Sequence, residues 1–162
     1  MKTADLVDAF GDDVSFCDLP FIKLGQKKMF SGEIETVKCF EDNALLKSEL
    51  QRPGRGRVMV VDGGGSTRMA LLGDQIALIL KENEWAGIII NGSVRDSAEI
   101  DAMDVSVFCR AVSPKKSSKD GVGKVSVPIS FGNVTFRPGE YVYADSDGIL
   151  ITAKRLDVER GQ

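Results

Sequence analysis

Asp74, twenty intervening residues, and then the adjacent pair Arg95–Asp96 form the chain's strongest chemical signal. An arginine can grip a carboxylate through two parallel hydrogen bonds. An aspartate can hold a hard cation that keeps several of its waters, as Mg²⁺ does. The chain contains no histidine, so metal or proton chemistry falls to carboxylates, water, lysine, tyrosine or cysteine. Each of the three residues also has a plain structural use. Asp74 can serve as a helix N-cap, and Arg95–Asp96 as a local ion pair whose acid caps the next helix.

Other motifs carry less. Gly63–Gly65 follows an expected strand and precedes an expected helix, where free amides can receive an anion. No Gly-Lys-Ser/Thr follows it and the spacing is not Gly-x-Gly-x-x-Gly, so neither a P-loop nor a Rossmann site is supported. A tight turn or close backbone packing uses the same glycines equally well. Cys17, Cys39 and Cys109 are far apart and odd in number. With no histidine to activate them, they point away from nucleophilic catalysis and toward a reducing compartment.

The elements that must position Asp74, Arg95 and Asp96 are legible in outline. Val58–Val61 is a continuous apolar run, expected as a strand buried on both faces. Met69–Leu72 reads as helical up to the break at Gly73. A fuller helix then starts at Asp74, with Ile76, Ile79 and Leu80 at helical spacing, and ends near Asn83–Trp85. Ala86–Ile90 reads as a second buried strand closed by Asn91-Gly92. The order strand, helix, strand predicts a parallel βαβ unit. Arg95–Asp96 then falls just past a strand end, where ligand sites of α/β sheets concentrate.

Around this centre, Thr3 is expected to cap a first helix that buries Leu6, Val7 and Phe10. Ile34 and Val37 mark a strand, and Asp42 and Asn43 a cap for a helix over Ala44–Leu50. Ser97–Ala102 reads as a short helix and Val105–Val112 as a strand. The last third predicts strands over Val125–Phe131, Val134–Phe136, Tyr141–Ala144 and Ile149–Thr152, joined by turns at Gly132-Asn133, Pro138-Gly139 and Asp147-Gly148. The expected architecture is a layered α/β domain spanning 1–162, with a central parallel βαβ unit and C-terminal β-hairpins.

Composition bounds the function classes. The 162 residues are 43% hydrophobic and 28% charged, ordinary for a globular chain with a sizeable core. A net charge of −3 argues against direct nucleic-acid binding. The basic stretch Lys115, Lys116, Lys119 and Lys124 has no interleaved aromatics and reads as a solvated loop. The N-terminus lacks the apolar core of a signal peptide, and no apolar run reaches the roughly 18 residues of a membrane span. A cytoplasmic chain with no membrane partner is the expectation.

Five stretches together resemble the RraA-like family: CFEDN (Cys39–Asn43), VVDGGGSTR (Val60–Arg68), ALLGDQIA (Ala70–Ala77), GIIINGSVRD (Gly87–Asp96) and FGNVTFRPGEYVYADSDGILI (Phe131–Ile151). That family contains 4-hydroxy-4-methyl-2-oxoglutarate aldolases and the regulator of ribonuclease E activity A. The resemblance implies a swivelling β/β/α domain assembled as a homotrimer, or as a doubled ring, a hexamer, with the active site at the subunit boundary. It implies a divalent cation, Mg or Mn, held by Asp96 largely through water. Arg95 would bind a small 2-oxo acid substrate, and Asp74 would position a metal-bound water for proton transfer. The segment Gly73, Asp74, Gln75 and Ile76 would bind the substrate, the amides of Gln75 and Ile76 holding its carboxylate.

The implied activity is a lyase that cleaves 4-hydroxy-4-methyl-2-oxoglutarate to two pyruvates and decarboxylates oxaloacetate. The alternative is a protein-binding regulator of ribonuclease E. Aldolases of the family also carry a glutamate across the boundary from a C-terminal extension. Glu159 is the glutamate in this chain's short tail. Swivelling domains that carry phosphohistidine offer a further analogy, which the absence of histidine excludes.

Overall fold

The computed structural model describes residues 2–157. Its centre is the parallel group β3 (Phe30–Lys38), β4 (Val58–Asp62), β6 (Gly87–Val94) and β7 (Val107–Val112). Val58, Met59, Val60 and Val61 are all fully buried, as are Ile88, Ile89 and Ile90. Continuous apolar strands of this kind need cover on both faces. One face is covered by α2 (Ala44–Leu50), α3 (Asp74–Glu82) and α4 (Ser97–Asp101), which share a core with Met59, Val61, Ile88 and Ile90. On the other, Val58, Val60 and Ile89 pack with Phe108, Phe131, Phe136 and Val142.

The sheet is mixed. Its order runs β1 (Ser15–Cys17), β12 (Gly148–Thr152), β11 (Tyr141–Asp145), β3, β4, β6, β7 and β2 (Ile22–Leu24). The strands on the β12 side and β2 at the far edge pair antiparallel. β5 (Ala70–Leu72) adds parallel to the end of β6, and β8 (Lys124–Val125) antiparallel to the end of β3. A separate hairpin joins β9 (Ile129–Phe131) to β10 (Val134–Phe136). The parallel β4–α3–β6 unit stands as expected, and so do the bounds of α2 and β10.

Several expectations are corrected. Ala70–Leu72 is a strand rather than a helix, and all three residues are buried against β6. Asn91-Gly92 does not close β6, which continues to Val94 across a shift in its register with β7. The extra length is what lets β5 pair. Val125–Phe131 is broken into two strands, with Ser126 in left-handed backbone at φ 57°. Residues 15–17 and 22–24 form short strands that the sequence pattern does not flag. Val7 is exposed while Leu6 and Phe10 are buried. Thr3 is the first residue of α1 (Thr3–Phe10), not its cap. Its hydroxyl and amide both donate to Asp145, at 2.7 Å each.

Candidate functional site

Gly73, Asp74, Arg95 and Asp96 meet at one corner, where the carboxyl ends of β5 and β6 lie side by side. The backbone N–H of Arg95 donates to the Leu72 carbonyl at 2.9 Å, which ties the two strand ends together. Asp96 sits in left-handed backbone, φ 56°, at the N-cap position of α4. That conformation is uncommon outside glycine, and aspartate is among the residues that best tolerate it. It accompanies a turn of the side chain back toward α3, where Oδ2 accepts a hydrogen bond from the Asp74 amide at 3.1 Å.

The N-cap position of α3 is therefore Gly73, with Asp74 as the first helical residue. The expected N-cap role passes from the Asp74 side chain to that of Asp96. Gly73 has extended backbone that any residue can adopt, yet a Cβ there would lie 2.8 Å from Asp96 Oδ2 and 3.4 Å from Arg95 Cγ and Nε. A methyl group there would push the Asp96 carboxylate from its place. Bonding from the helix itself begins with the Ala77 amide, which donates to the Gly73 carbonyl at 3.0 Å. The amides of Gln75 and Ile76 are left without an intrahelical acceptor.

Asp74 and Asp96 are half-buried, whereas Gln75 and Arg95 are exposed. The expected Arg95–Asp96 ion pair does not form: the ion pairs among the described residues are Arg52–Glu49, Arg57–Glu35 and Arg68–Glu41. The Arg95 guanidinium is thus uncommitted beside a carboxylate and two free amides. That combination suits a small carboxylate ligand.

No group of three or more metal-ligating side chains occurs among the described residues. What the corner offers a cation is one fixed carboxylate, with Asp74 adjoining. That donor set fits a hard cation that keeps most of its waters, such as Mg²⁺, rather than a metal that demands a full side-chain cage. Glu159 lies outside the described residues.

Sequence reasoning missed the residues that hold the neighbouring loop. Glu41 forms a two-pronged pair with Arg68, at 2.7 and 3.0 Å, and accepts from Ser66 Oγ at 2.6 Å. Hydrogen bonds from Arg68 and then Ser66 hold its carboxyl below the usual range. Three buried serines capture alternate carbonyls of the chain entering β5. Ser93 Oγ donates to Ser66 O, Ser113 Oγ to Arg68 O and Ser117 Oγ to Ala70 O, at 2.6–2.7 Å. Single serines carry no periodic signal, so only the folded chain reveals their common target.

Gly63–Gly65 precedes this loop and β5, not a helix, so the expected helix-start anion site is absent from it. A Cβ on Gly63 would meet Leu71 Cδ1 at 2.7 Å and the Asn91 carbonyl at 2.9 Å, which is the packing role. The lysines at 115, 116, 119 and 124 are exposed. All three cysteines are free and buried. Burial pushes the thiols up, to about 12 for Cys39 and about 11 for Cys109. No helix among the described residues is long and apolar enough to cross a membrane.

The mixed α/β fold is that of a protein class that includes aldolases and ribonuclease regulators. The profile of the RraA-like family (Aldolase/RraA) matches residues 3–151, and the chain belongs to that family. It is similar to the S-adenosylmethionine:2-dimethylmenaquinone methyltransferase from Geobacillus kaustophilus HTA426, at 51% identity over 96% of this chain and 97% of that one, with a TM-score of 0.93. It is similar to the RNA-processing inhibitor RraA from Thermus thermophilis, at 38% identity over 97% and 95%, with a TM-score of 0.93. Streptomyces coelicolor RraAS2, at 24% identity over 94% and 81% and a TM-score of 0.76, shares the fold.

Proposed function

We propose that the chain is a divalent-metal-dependent carbon–carbon lyase that cleaves 4-hydroxy-4-methyl-2-oxoglutarate to pyruvate and decarboxylates oxaloacetate. The observation that carries this reading is the corner itself. Asp96 is latched to the first amide of α3, Gly73 lies so close beside it that a Cβ would displace its carboxylate, and the Arg95 guanidinium is free. An RraA-like regulator that acts only by surface contact has no need of such a set.

Asp96 would hold the cation, largely through water. When bound, a divalent cation supplies Lewis acidity toward the 2-oxo and carboxylate oxygens of the substrate. Arg95 grips the substrate and sets fixed positive charge where an enolate oxygen develops. The free amides of Gln75 and Ile76 donate to the substrate carboxylate, and the positive end of α3 favours negative charge there. Asp74, half-buried one residue before them, orients a water that takes the hydroxyl proton in retro-aldol cleavage and returns one to the enolate carbon. Oxaloacetate decarboxylation passes through the same enolate and needs no hydroxyl proton transfer.

The test is a coupled pyruvate assay with both substrates, with and without Mg²⁺ or Mn²⁺. Turnover should depend on the added metal. Full turnover in a verified metal-free preparation would sink the proposal.

A second reading, regulation of a ribonuclease E-type nuclease, is favoured by the 38% identity to an RNA-processing inhibitor. It needs a surface rather than Arg95, so a nuclease pull-down should survive Arg95→Ala. Absence of any association would count against it. Methyl transfer has only the name of the Geobacillus relative behind it. A homotrimer or hexamer with the site at a subunit boundary belongs to the proposal, and sedimentation tests it.

A further inference from the structure

A second polar pocket, about 480 Å³ in volume, lies at the opposite end of the central strands from Arg95. Arg57 immediately precedes β4, whereas the Arg95 corner follows the ends of β5 and β6. The five residues of β4 alone span roughly 16 Å at the usual strand rise. The two sites are therefore separate.

The pocket floor follows from strand alternation. On the antiparallel pair β3–β11, Tyr141 faces Glu33 and Tyr143 faces Ser31. These four residues share one face. Phe30, Ile34, Val142 and Ala144 turn to the other and are buried in the core. Both tyrosines of the chain thus stand on a single face and line the pocket, each half-buried, with Tyr143 packed against the cluster of Leu6, Phe10 and Leu150. The Tyr143 hydroxyl accepts from the Leu156 amide at 2.8 Å, which leaves its own proton free to donate.

The walls follow from strand order. β4 flanks β3 on one side, and the turn that leads into it supplies Arg55 and Arg57. β12 flanks β11 on the other side, and the segment after it supplies Arg155. Arg57 is committed. It donates to the Gly54 and Pro53 carbonyls at 3.1 Å each, and its guanidinium lies 4.8 Å from the centre of the Trp85 ring. Arg55 and Arg155 have no hydrogen bond or ion pair to any described residue. Arg55 is also held in left-handed backbone, φ 55°, a conformation rare for a long side chain. With Arg57 paired to Glu35, the two unpaired arginines Arg55 and Arg155 face one acid, Glu33, in a chain whose net charge is −3. Clefts of one sign concentrate ligands of the other.

We propose that this pocket binds a small molecule carrying two oxyanion groups, carboxylate or phosphate, one taken by Arg55 and the other by Arg155, with the tyrosine hydroxyls donating between them. Two uncommitted guanidinium groups on opposite walls match two such groups, each through charge-assisted hydrogen bonds.

Because both tyrosines line the pocket, 3-fluorotyrosine incorporation gives a site-specific ¹⁹F NMR probe. Citrate and pyrophosphate are titrated separately, to separate a carboxylate ligand from a phosphate one. Saturable movement of both resonances with at least one probe is expected. The double variant Arg55→Ala/Arg155→Ala should weaken that binding about tenfold or more, while Arg95→Ala leaves it unchanged. Both arginines are exposed, and an unaltered melting temperature verifies the fold. The single variant Arg155→Gln, expected to weaken binding severalfold, serves if the double variant does not fold. Unmoved resonances at millimolar concentrations of both probes, wild-type binding by the variants, or loss of binding in Arg95→Ala would each overturn the proposal.

Discussion

The side-chain oxygen Oδ2 of Asp96 accepts a hydrogen bond from the backbone amide of Asp74 at 3.1 Å. The acid that follows one strand therefore caps the helix that follows another. This single contact couples the geometry of the proposed metal ligand to the start of the proposed substrate cradle, and the two roles of Asp96 can be separated by substitution.

Asp96→Asn keeps an oxygen that can accept from the Asp74 amide and suits the left-handed backbone, but it removes the charge. It should melt within a few degrees of wild type and lose pyruvate formation. Asp96→Ala loses the cap as well, at a cost of about 1 kcal/mol, or a fall of roughly 2–4 °C in a chain of this size. Calorimetry beside the pyruvate assay checks both. Full turnover by either variant would remove Asp96 from the metal site.

Gly73→Ala is a steric test of the same corner. The backbone there is extended, so alanine is not strained in itself, and its effect must come through the 2.8 Å approach to Asp96 Oδ2. We expect activity to fall at least tenfold while stability falls by about 1–3 kcal/mol, the usual range for overpacking. Unchanged kinetics would show that the corner can open without consequence.

Arg95 is exposed and carries no ion pair, so Arg95→Ala should change stability by less than about 0.5 kcal/mol. In the proposed lyase it should cost about 10²–10³ in kcat/KM. Arg95→Lys should recover little, because a point charge cannot reproduce a two-pronged grip.

Asp42 predicts the acid limit of the fold. Burial pushes its carboxyl up, but the amides of Ala44, Val122, Gly121 and Asp120 outweigh this and bring it below the ordinary value. Asp145 behaves likewise, with Thr3 as its main partner. A depressed carboxyl stabilises the fold above its unfolded pKa, near 3.9, and this contribution disappears as pH falls through the lower folded value. Stability should therefore be flat near neutrality with respect to these groups and decline below about pH 4. Asp42→Ala should cost about 2 kcal/mol and flatten part of that decline. An acid limb identical to wild type in pH-dependent denaturant melts would contradict this.

Cys39 and Cys109, with thiols pushed up to about 12 and about 11, should resist thiol reagents at pH 8 until the chain unfolds. Rapid native labelling of either, read by mass spectrometry, would show that the core around them opens.

Much of the frame was legible because it rests on period and punctuation. The apolar run at 58–61, the helical spacing of Ile76 and Leu80 and the Gly132-Asn133 turn each act over a few neighbouring residues. Three of the failures share one cause. Residues 15–17, 22–24 and 70–72 are three-residue strands, too short to show a period, and a short apolar run such as Ala70–Leu72 does not distinguish strand from helix. Pairing with a distant strand decides it.

The same division runs through the candidate site. Residue types alone left metal and proton chemistry to carboxylates, water, lysine, tyrosine or cysteine, because the chain has no histidine, and spacing put Asp74 at a helix start and Arg95 past a strand. Tertiary structure alone decided that β6 runs on to Val94 to receive β5, that Asp96 turns back to cap α3, and that Ser93, Ser113 and Ser117 hold the chain entering β5. Local propensity acts along the chain, whereas a hydrogen bond between residues 74 and 96 exists only once two strand ends have been packed side by side.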